Sequence, residues 1–161
     1  MIRPATGHVH AFEIEPELAR RARQNLADWC CVHELSAVET ELLPKADVIY
    51  VSAGATHVPL RWLNSLKPRG RLVLPLTPTH GLGCMLLISR QDGTMIYPAR
   101  SISPAAFIPC NGANNEGESL RLATALQTRP PDAIRSLRRG IPPDQTAWSV
   151  GPGWWLSTSD L

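Results

Sequence analysis

Much of what usually betrays a function is missing from this sequence, and each absence removes a class of answer. No run approaches the ~20 apolar residues that a membrane-crossing helix needs, so no membrane role is expected. The opening MIRPATGHVH has no apolar h-region, which argues against a secretory signal. The four cysteines, Cys30, Cys31, Cys84 and Cys110, form no CxxC pair, and no histidine stands beside them at zinc-finger spacing. Spacing therefore gives no metal site, and reduced thiols in a cytoplasmic protein are the expectation. Excess charge is scarce too: 16 Lys and Arg against 14 Asp and Glu give a net charge of +2. That field is too mild to argue for nucleic acid. Basic residues thicken only at Arg135, Arg138 and Arg139 in RSLRRG, which reads as a solvated helix face, with a nucleic-acid contact as the lesser alternative. The 15 prolines and 11 glycines are scattered as turn punctuation, with no low-complexity tract and no internal repeat.

What is present is the pattern of one α/β domain. With 161 residues the chain is long enough for one core, and residues 1–161 are expected to form a single, partial domain. Val9 to Ile14 is a short apolar run suited to a buried parallel strand. Pro16 then fits the first turn of a helix, with Leu18, Ala22 and Leu26 as its apolar stripe. WCCVHEL is a second strand candidate, and ADVIYVSAGA is the strongest strand in the chain and reads as a buried one. PLRWLNSLKPRG reads as a helix ended by Pro68 and Gly70, followed by the strand RLVLPL. In GCMLLISRQDGTMIYPARSIS the Asp-Gly pair predicts a hairpin. NEGESLRLATALQT predicts a helix with Leu120, Ala123 and Leu126 as its seam, and TAWSVGPGWWLST a final hairpin. This order predicts a mostly parallel α/β sheet with an antiparallel C-terminal hairpin.

Ligands of such sheets sit beyond the carboxyl ends of the strands, which directs attention to Glu13, to Glu34–Ser36 and to Ser52–His57. A carboxylate at Glu13 can accept two hydrogen bonds from a ribose diol, each worth ~1.5–3 kcal/mol. Alternatively, Glu13 and Glu15 simply meet the positive end of the following helix. Ser52, Ala53, Gly54 and Ala55 are small residues directly after a strand, leaving room either for a ligand or for a tightly packed turn. His57 has no partner acid or nucleophile at a recognisable spacing, so a base and an ordinary surface or satisfied histidine both stand open. HGLG, His80 to Gly83, contains a GxG, but a hairpin and not a helix follows it, so it reads as a turn. No glycine-rich nucleotide loop is found, and no catalytic side chain is assigned.

The stretches GHVHAFEIEPELARRARQNL, ADVIYVSAGATHVPLRWLNSLKPRGRLVLPL and GWWLS resemble the protein-L-isoaspartate O-methyltransferase family, whose members have a Rossmann-like, S-adenosylmethionine-dependent methyltransferase fold. The likeness runs from about Gly7 onward and is densest through Leu76. Arg69 stands where the family generally carries glycine. The resemblance implies that Glu13 holds the ribose of S-adenosylmethionine. It places Glu34, Leu35 and Ser36 at the family's Gly-Asp-Gly turn, with Leu35 in place of the acid that faces the adenine and Glu34 as its neighbouring substitute. It sets Ser52 and Ala53 near the cofactor methyl, and Gly54, Ala55, Thr56 and His57 on the substrate side. Ala106 to Cys110, AFIPC, resembles a later substrate-side segment in outline.

The implied activity is methylation of an isoaspartyl carboxylate on a protein or peptide, a repair reaction. In the family a glycine-rich loop and its strand precede the segment with which this chain starts, so the sheet is expected to lack its first, central strand and that loop, as in a truncated product. The alternative is an inactive remnant or a non-catalytic binding module of the same fold.

Overall fold

The computed structural model describes residues 7–41 and 43–160. They fall into two compact units, one ending at Leu43 and one starting at Pro44.

The first unit is one strand–helix–strand motif: β1 (His10–Phe12), α1 (Pro16–Leu26) and β2 (Cys31–His33). The strands pair in parallel, with His10 opposite Cys31, Ala11 opposite Val32 and Phe12 opposite His33. The bonds from Cys31 N–H to the Val9 carbonyl (2.9 Å) and from Glu13 N–H to the His33 carbonyl (3.0 Å) extend the ladder at both ends. Pro16 occupies the first turn of α1, as expected, where its missing N–H leaves no bond unmade. The expected stripe is shifted by one position. Ala19 is fully buried while Leu18 is exposed, with Ala22 and Leu26 half-buried. Residues 19, 22 and 26 share a helix face as readily as 18, 22 and 26 do, and the smaller side chain, Ala19, is the buried one.

The second unit is built on a seven-stranded sheet. Its elements are β3 (Ala46–Tyr50), α2 (Leu60–Ser65), β4 (Leu66–Leu76), β5 (Gly83–Ser89), β6 (Ile96–Ala105), α3 (Glu116–Thr128), β7 (Ser136–Arg139), β8 (Ala147–Gly151) and β9 (Trp154–Ser157). Strand order is β3-β4-β5-β6-β7-β9-β8. The class is α/β, but among the described strands only β1–β2 and β3–β4 pair in parallel, and every later strand pair is antiparallel. Antiparallel neighbours follow from short turns. Asp92-Gly93 closes the β5–β6 hairpin and Gly153 the β8–β9 hairpin, with φ of +70° and +77° at the two glycines.

The core of the second unit joins aliphatic side chains to the buried tryptophans Trp62, Trp148, Trp154 and Trp155. Leu63, Leu66, Leu72, Leu74, Leu76, Leu86, Ile88, Leu122, Ile134, Leu137 and Leu156 are all within 2 % of full burial, each contributing roughly 1.5–3 kcal/mol through removal from water. Three sequence expectations are corrected. ADVIYVSAGA forms a sheet edge and not a buried strand: β3 pairs with β4 alone among the described residues, and Val48 and Tyr50 are 51 % and 64 % exposed. RSLRRG is strand β7 and not a helix face. Ser136 and Leu137 are buried, and Arg138 lies 4.9 Å over the Trp155 ring while pairing with Asp144 at 3.5 Å. The seam of α3 is Glu118, Leu122 and Ala125, and Leu120 is 71 % exposed.

Candidate active site

In the first unit the parallel register places Glu13 and Glu34 at the same end of adjacent strands. Glu13 directly follows Phe12, is half-buried, and accepts the Glu15 N–H on Oε1 at 3.0 Å. One carboxylate oxygen is thus tied to the entry of α1. The other keeps its lone pairs for a second donor, since a carboxylate offers about four acceptor positions. Glu34 is turned toward the helix, where Arg23 Nη1 meets it at 3.0 Å. Both partners are substantially exposed, so the pair is worth well under ~1 kcal/mol. Leu35 is exposed. Ser36 Oγ accepts from the N–H groups of Val38 (3.3 Å) and Glu39 (3.2 Å), closing a small turn and leaving its hydroxyl proton to donate.

In the second unit, residues 52–57 follow β3 and Val51. Ser52 is exposed and Ala53 half-buried, while Gly54, Ala55 and Thr56 are buried. The chain at Gly54 and Ala55 is bonded on both sides. Gly54 N–H donates to the Ile108 carbonyl and its carbonyl accepts from Cys110 N–H, each at 2.7 Å. Ala55 bridges the Pro75 carbonyl and the Thr77 N–H, each at 2.9 Å. Of the two readings of these small residues, tight backbone packing therefore accounts for Gly54 and Ala55, whereas Ser52 and Ala53 stay on the open side.

Thr56 ties this turn to the approach of α3. Its N–H donates to the Ala113 carbonyl at 3.0 Å, and its hydroxyl oxygen accepts the Asn115 N–H at 3.0 Å. Asn115 in turn caps α3, its Oδ1 accepting the Glu118 N–H at 3.1 Å, a contact typically worth about 1 kcal/mol. His57 Nδ1 stands 3.5 Å from Thr56 Oγ1. Partial burial pushes its pKa below the ordinary histidine value, with the Glu118 charge opposing, so the ring is neutral at physiological pH. Burial likewise raises the thiol pKa of Cys110 and of Cys84, which leaves both protonated and poor nucleophiles.

Residues that sequence spacing missed complete this region. Thr79 Oγ1 donates to Asn114 Oδ1 at 3.0 Å, and Thr79 N–H to Ser119 Oγ at 2.8 Å. Asn114 Nδ2 is buried without a partner among the described residues, the kind of orphan donor that a ligand or water completes. Ile108, 79 % exposed, and Phe107 add an apolar rim beside Gly54. Only the outline likeness of AFIPC pointed here; Asn114 and Thr79 carry no motif of their own. The first unit holds a second unforeseen cluster, His10, Cys31 and His33, on its paired strands.

The profile of the family described as protein-L-isoaspartate(D-aspartate) O-methyltransferase matches residues 2–115. Among curated proteins, the protein-L-isoaspartate O-methyltransferase of Hyperthermus butylicus is 33% identical, covering 66% of this chain and 46% of its own length. That of Pyrococcus horikoshii is 32% identical, covering 66% and 50%. The chain spans about half the length of these relatives. Of solved structures, a protein-L-isoaspartate O-methyltransferase of Plasmodium falciparum in complex with S-adenosyl-L-homocysteine superposes with a TM-score of 0.55 at 17% identity, covering 65% of this chain and 53% of that one. Another protein-L-isoaspartate O-methyltransferase gives 0.57 at 19%, covering 77% and 39%. At these identities the structures establish the fold, and the profile match over more than half of the sequence establishes the family: this chain belongs to the protein-L-isoaspartate(D-aspartate) O-methyltransferases.

Proposed function

We propose that the chain is part of an S-adenosylmethionine-dependent O-methyltransferase acting on the isoaspartyl carboxylate of damaged proteins or peptides. The observation that carries this reading is the family match, which runs unbroken from residue 2 to residue 115 across the Leu43–Pro44 boundary. The same continuity supports treating both units as one partial methyltransferase domain. A reducing, cytoplasmic setting suits the buried, protonated thiol of Cys84.

Glu13 fits a ribose: it sits at a strand end, and only one of its oxygens is used by Glu15 N–H. Ser36 has a hydroxyl proton free to donate. The adenine side fits less well, because Leu35 has no polar side chain and Glu34 is held by Arg23. Bound S-adenosylmethionine would supply an electrophilic methyl group on a positively charged sulfur.

In the second unit, Ser52 and Ala53 present little bulk at the strand end, which lets two ligands approach each other there. Gly54 and Ala55 act by position, Gly54 fixing residues 108–110 alongside the turn and Ala55 tying it to Pro75 and Thr77. Thr56 locks that turn to the start of α3, and neutral His57 offers the substrate side a hydrogen-bonding group without charge. The nucleophile belongs to the substrate. An isoaspartyl carboxylate has an ordinary pKa near ~4 and is ionised at neutral pH, so no general base is required of this chain.

A second reading, a remnant that no longer methylates, is favoured by Leu35 and by the commitment of Glu34 to Arg23. Calorimetry with S-adenosylmethionine and S-adenosylhomocysteine separates the two. A dissociation constant below about 1 mM, more favourable than roughly −4 kcal/mol, supports the methyltransferase reading. No heat with either compound at millimolar concentration leaves the remnant. Methyl transfer to an isoaspartyl peptide is the further test of turnover.

A further inference from the structure

The register of β1 on β2 assembles a donor set that the linear sequence conceals. His10 and Cys31 are direct cross-strand partners, and His33 lies two residues beyond Cys31, so alternation puts all three side chains on one face. One ligand atom from each lies within 4.8 Å of the others. His10 Nδ1 is 2.9 Å from His33 Nε2, with the rings stacked at 5.2 Å and 21°. Phe12 stacks on the other imidazole at 4.8 Å and 19°, which restrains the His33 ring.

We propose that His10, Cys31 and His33 form a binding site for a borderline divalent transition metal, zinc(II) being the ion that matches the set. Two imidazoles and one thiolate are the ligand types that zinc prefers over oxygen donors, and they leave a fourth tetrahedral position for water or an exogenous ligand. With Zn–N bonds of about 2.0–2.1 Å, tetrahedral angles separate two nitrogen ligands by about 3.3 Å. The two imidazoles therefore part by only a few tenths of an ångström to admit the ion. His10 and Cys31 are exposed and His33 is half-buried, so an ion reaches the face without opening a core.

The site also has a physical use. Ala19 is the one fully buried apolar residue described in the first unit, and two short strands with one helix are marginal by themselves. A metal bridging β1 to β2 is the type of staple by which such small units gain stability. The inference rests on strand register and donor chemistry and is independent of the methyltransferase reading.

The full chain, purified with reductant and freed of metal, is titrated with cobalt(II) as a spectroscopic stand-in, then with zinc(II) against a chromophoric chelator. The expected result is one equivalent bound, with a thiolate-to-cobalt charge-transfer band and a zinc dissociation constant in the micromolar range or tighter. Cys31→Ser should remove the band and weaken zinc binding at least tenfold, while Cys30→Ser and Cys110→Ser leave both unchanged. Because Cys31 is exposed, circular dichroism should show the C31S fold intact. Amide exchange at β1 and β2 should slow on zinc addition in the parent chain and not in C31S. A cobalt complex without the charge-transfer band, or zinc binding unaltered by C31S, would overturn the proposal.

Discussion

A Cβ atom placed on Gly54 would lie 2.3 Å from Oγ1 of Thr77 and 3.2 Å from the carbonyl oxygen of Phe107. The glycine is thus required by the Thr77 side chain on one side and the backbone of Phe107 and Ile108 on the other, and not by its dihedral angles. Gly54→Ala should cost about 1–3 kcal/mol, as overpacking of a rigid interior does. Thr77→Ala removes the nearest obstructing atom. In a double-mutant cycle by urea denaturation, the cost of G54A should therefore fall in the T77A background. An identical cost in both backgrounds would assign the penalty to Phe107 instead.

Arg69 is the one described non-glycine residue with positive φ, at +62°. It lies in the Pro68–Gly70 stretch of β4, where the family resemblance leads one to expect glycine. The left-handed region brings Cβ close to the following carbonyl and costs an L-residue roughly 1–2 kcal/mol, partly offset by the greater freedom glycine loses on folding. Arg69→Gly is therefore expected to stabilise by about 0.5–1 kcal/mol, read as a higher urea midpoint at constant slope. Arg69→Ala, which keeps the Cβ, should show no such gain.

His57 gives the protein a pH dependence of definite sign. Burial lowers its folded-state pKa, so the unfolded chain takes up this proton at higher pH than the folded chain does. The His57 contribution is complete above about pH 6.5 and is lost as pH falls from there through the folded value. His57→Gln should flatten that part of the stability profile. By NMR, the His57 ring should titrate below the ordinary histidine value. Glu118→Gln should lower the midpoint further, since the Glu118 charge is the opposing influence.

How far the sequence spoke depended on whether a signal was local. The two hairpins were legible because Asp-Gly and Gly-Pro-Gly carry their own backbone preferences, and α1 began at its proline. The α3 seam was not, because 118, 122 and 125 fit the helical period as well as 120, 123 and 126. What decides between them is packing, and α3 buries Leu122 while a glutamate joins the buried face. β7 was missed for a related reason: three arginines disguise a strand whose first two residues, Ser136 and Leu137, are both buried. Glu13 in the first unit and Ser52–His57 in the second were singled out by strand-end position alone. Asn114 and Thr79 meet each other only through pairing across 35 residues, and His10 meets Cys31 only through strand register.

The same contrast between local and long-range signal predicts which of the two strand-end acids matters for the cofactor. Glu13 has an unengaged oxygen and a fixed backbone position at the end of β1, whereas Glu34 is held by Arg23. A charge-assisted hydrogen bond contributes about 1.5–3 kcal/mol. Glu13→Gln should thus weaken S-adenosylhomocysteine binding by roughly tenfold to a hundredfold, as each 1.4 kcal/mol is a factor of ten. Glu34→Gln should change it by less than about threefold and mainly loosen the Arg23 side of α1, a loss of well under ~1 kcal/mol for an exposed pair. Calorimetry on both variants checks the order. If E34Q were the more damaging, Glu34 would be the acid serving the adenine, and its pairing with Arg23 would have to break when the cofactor binds.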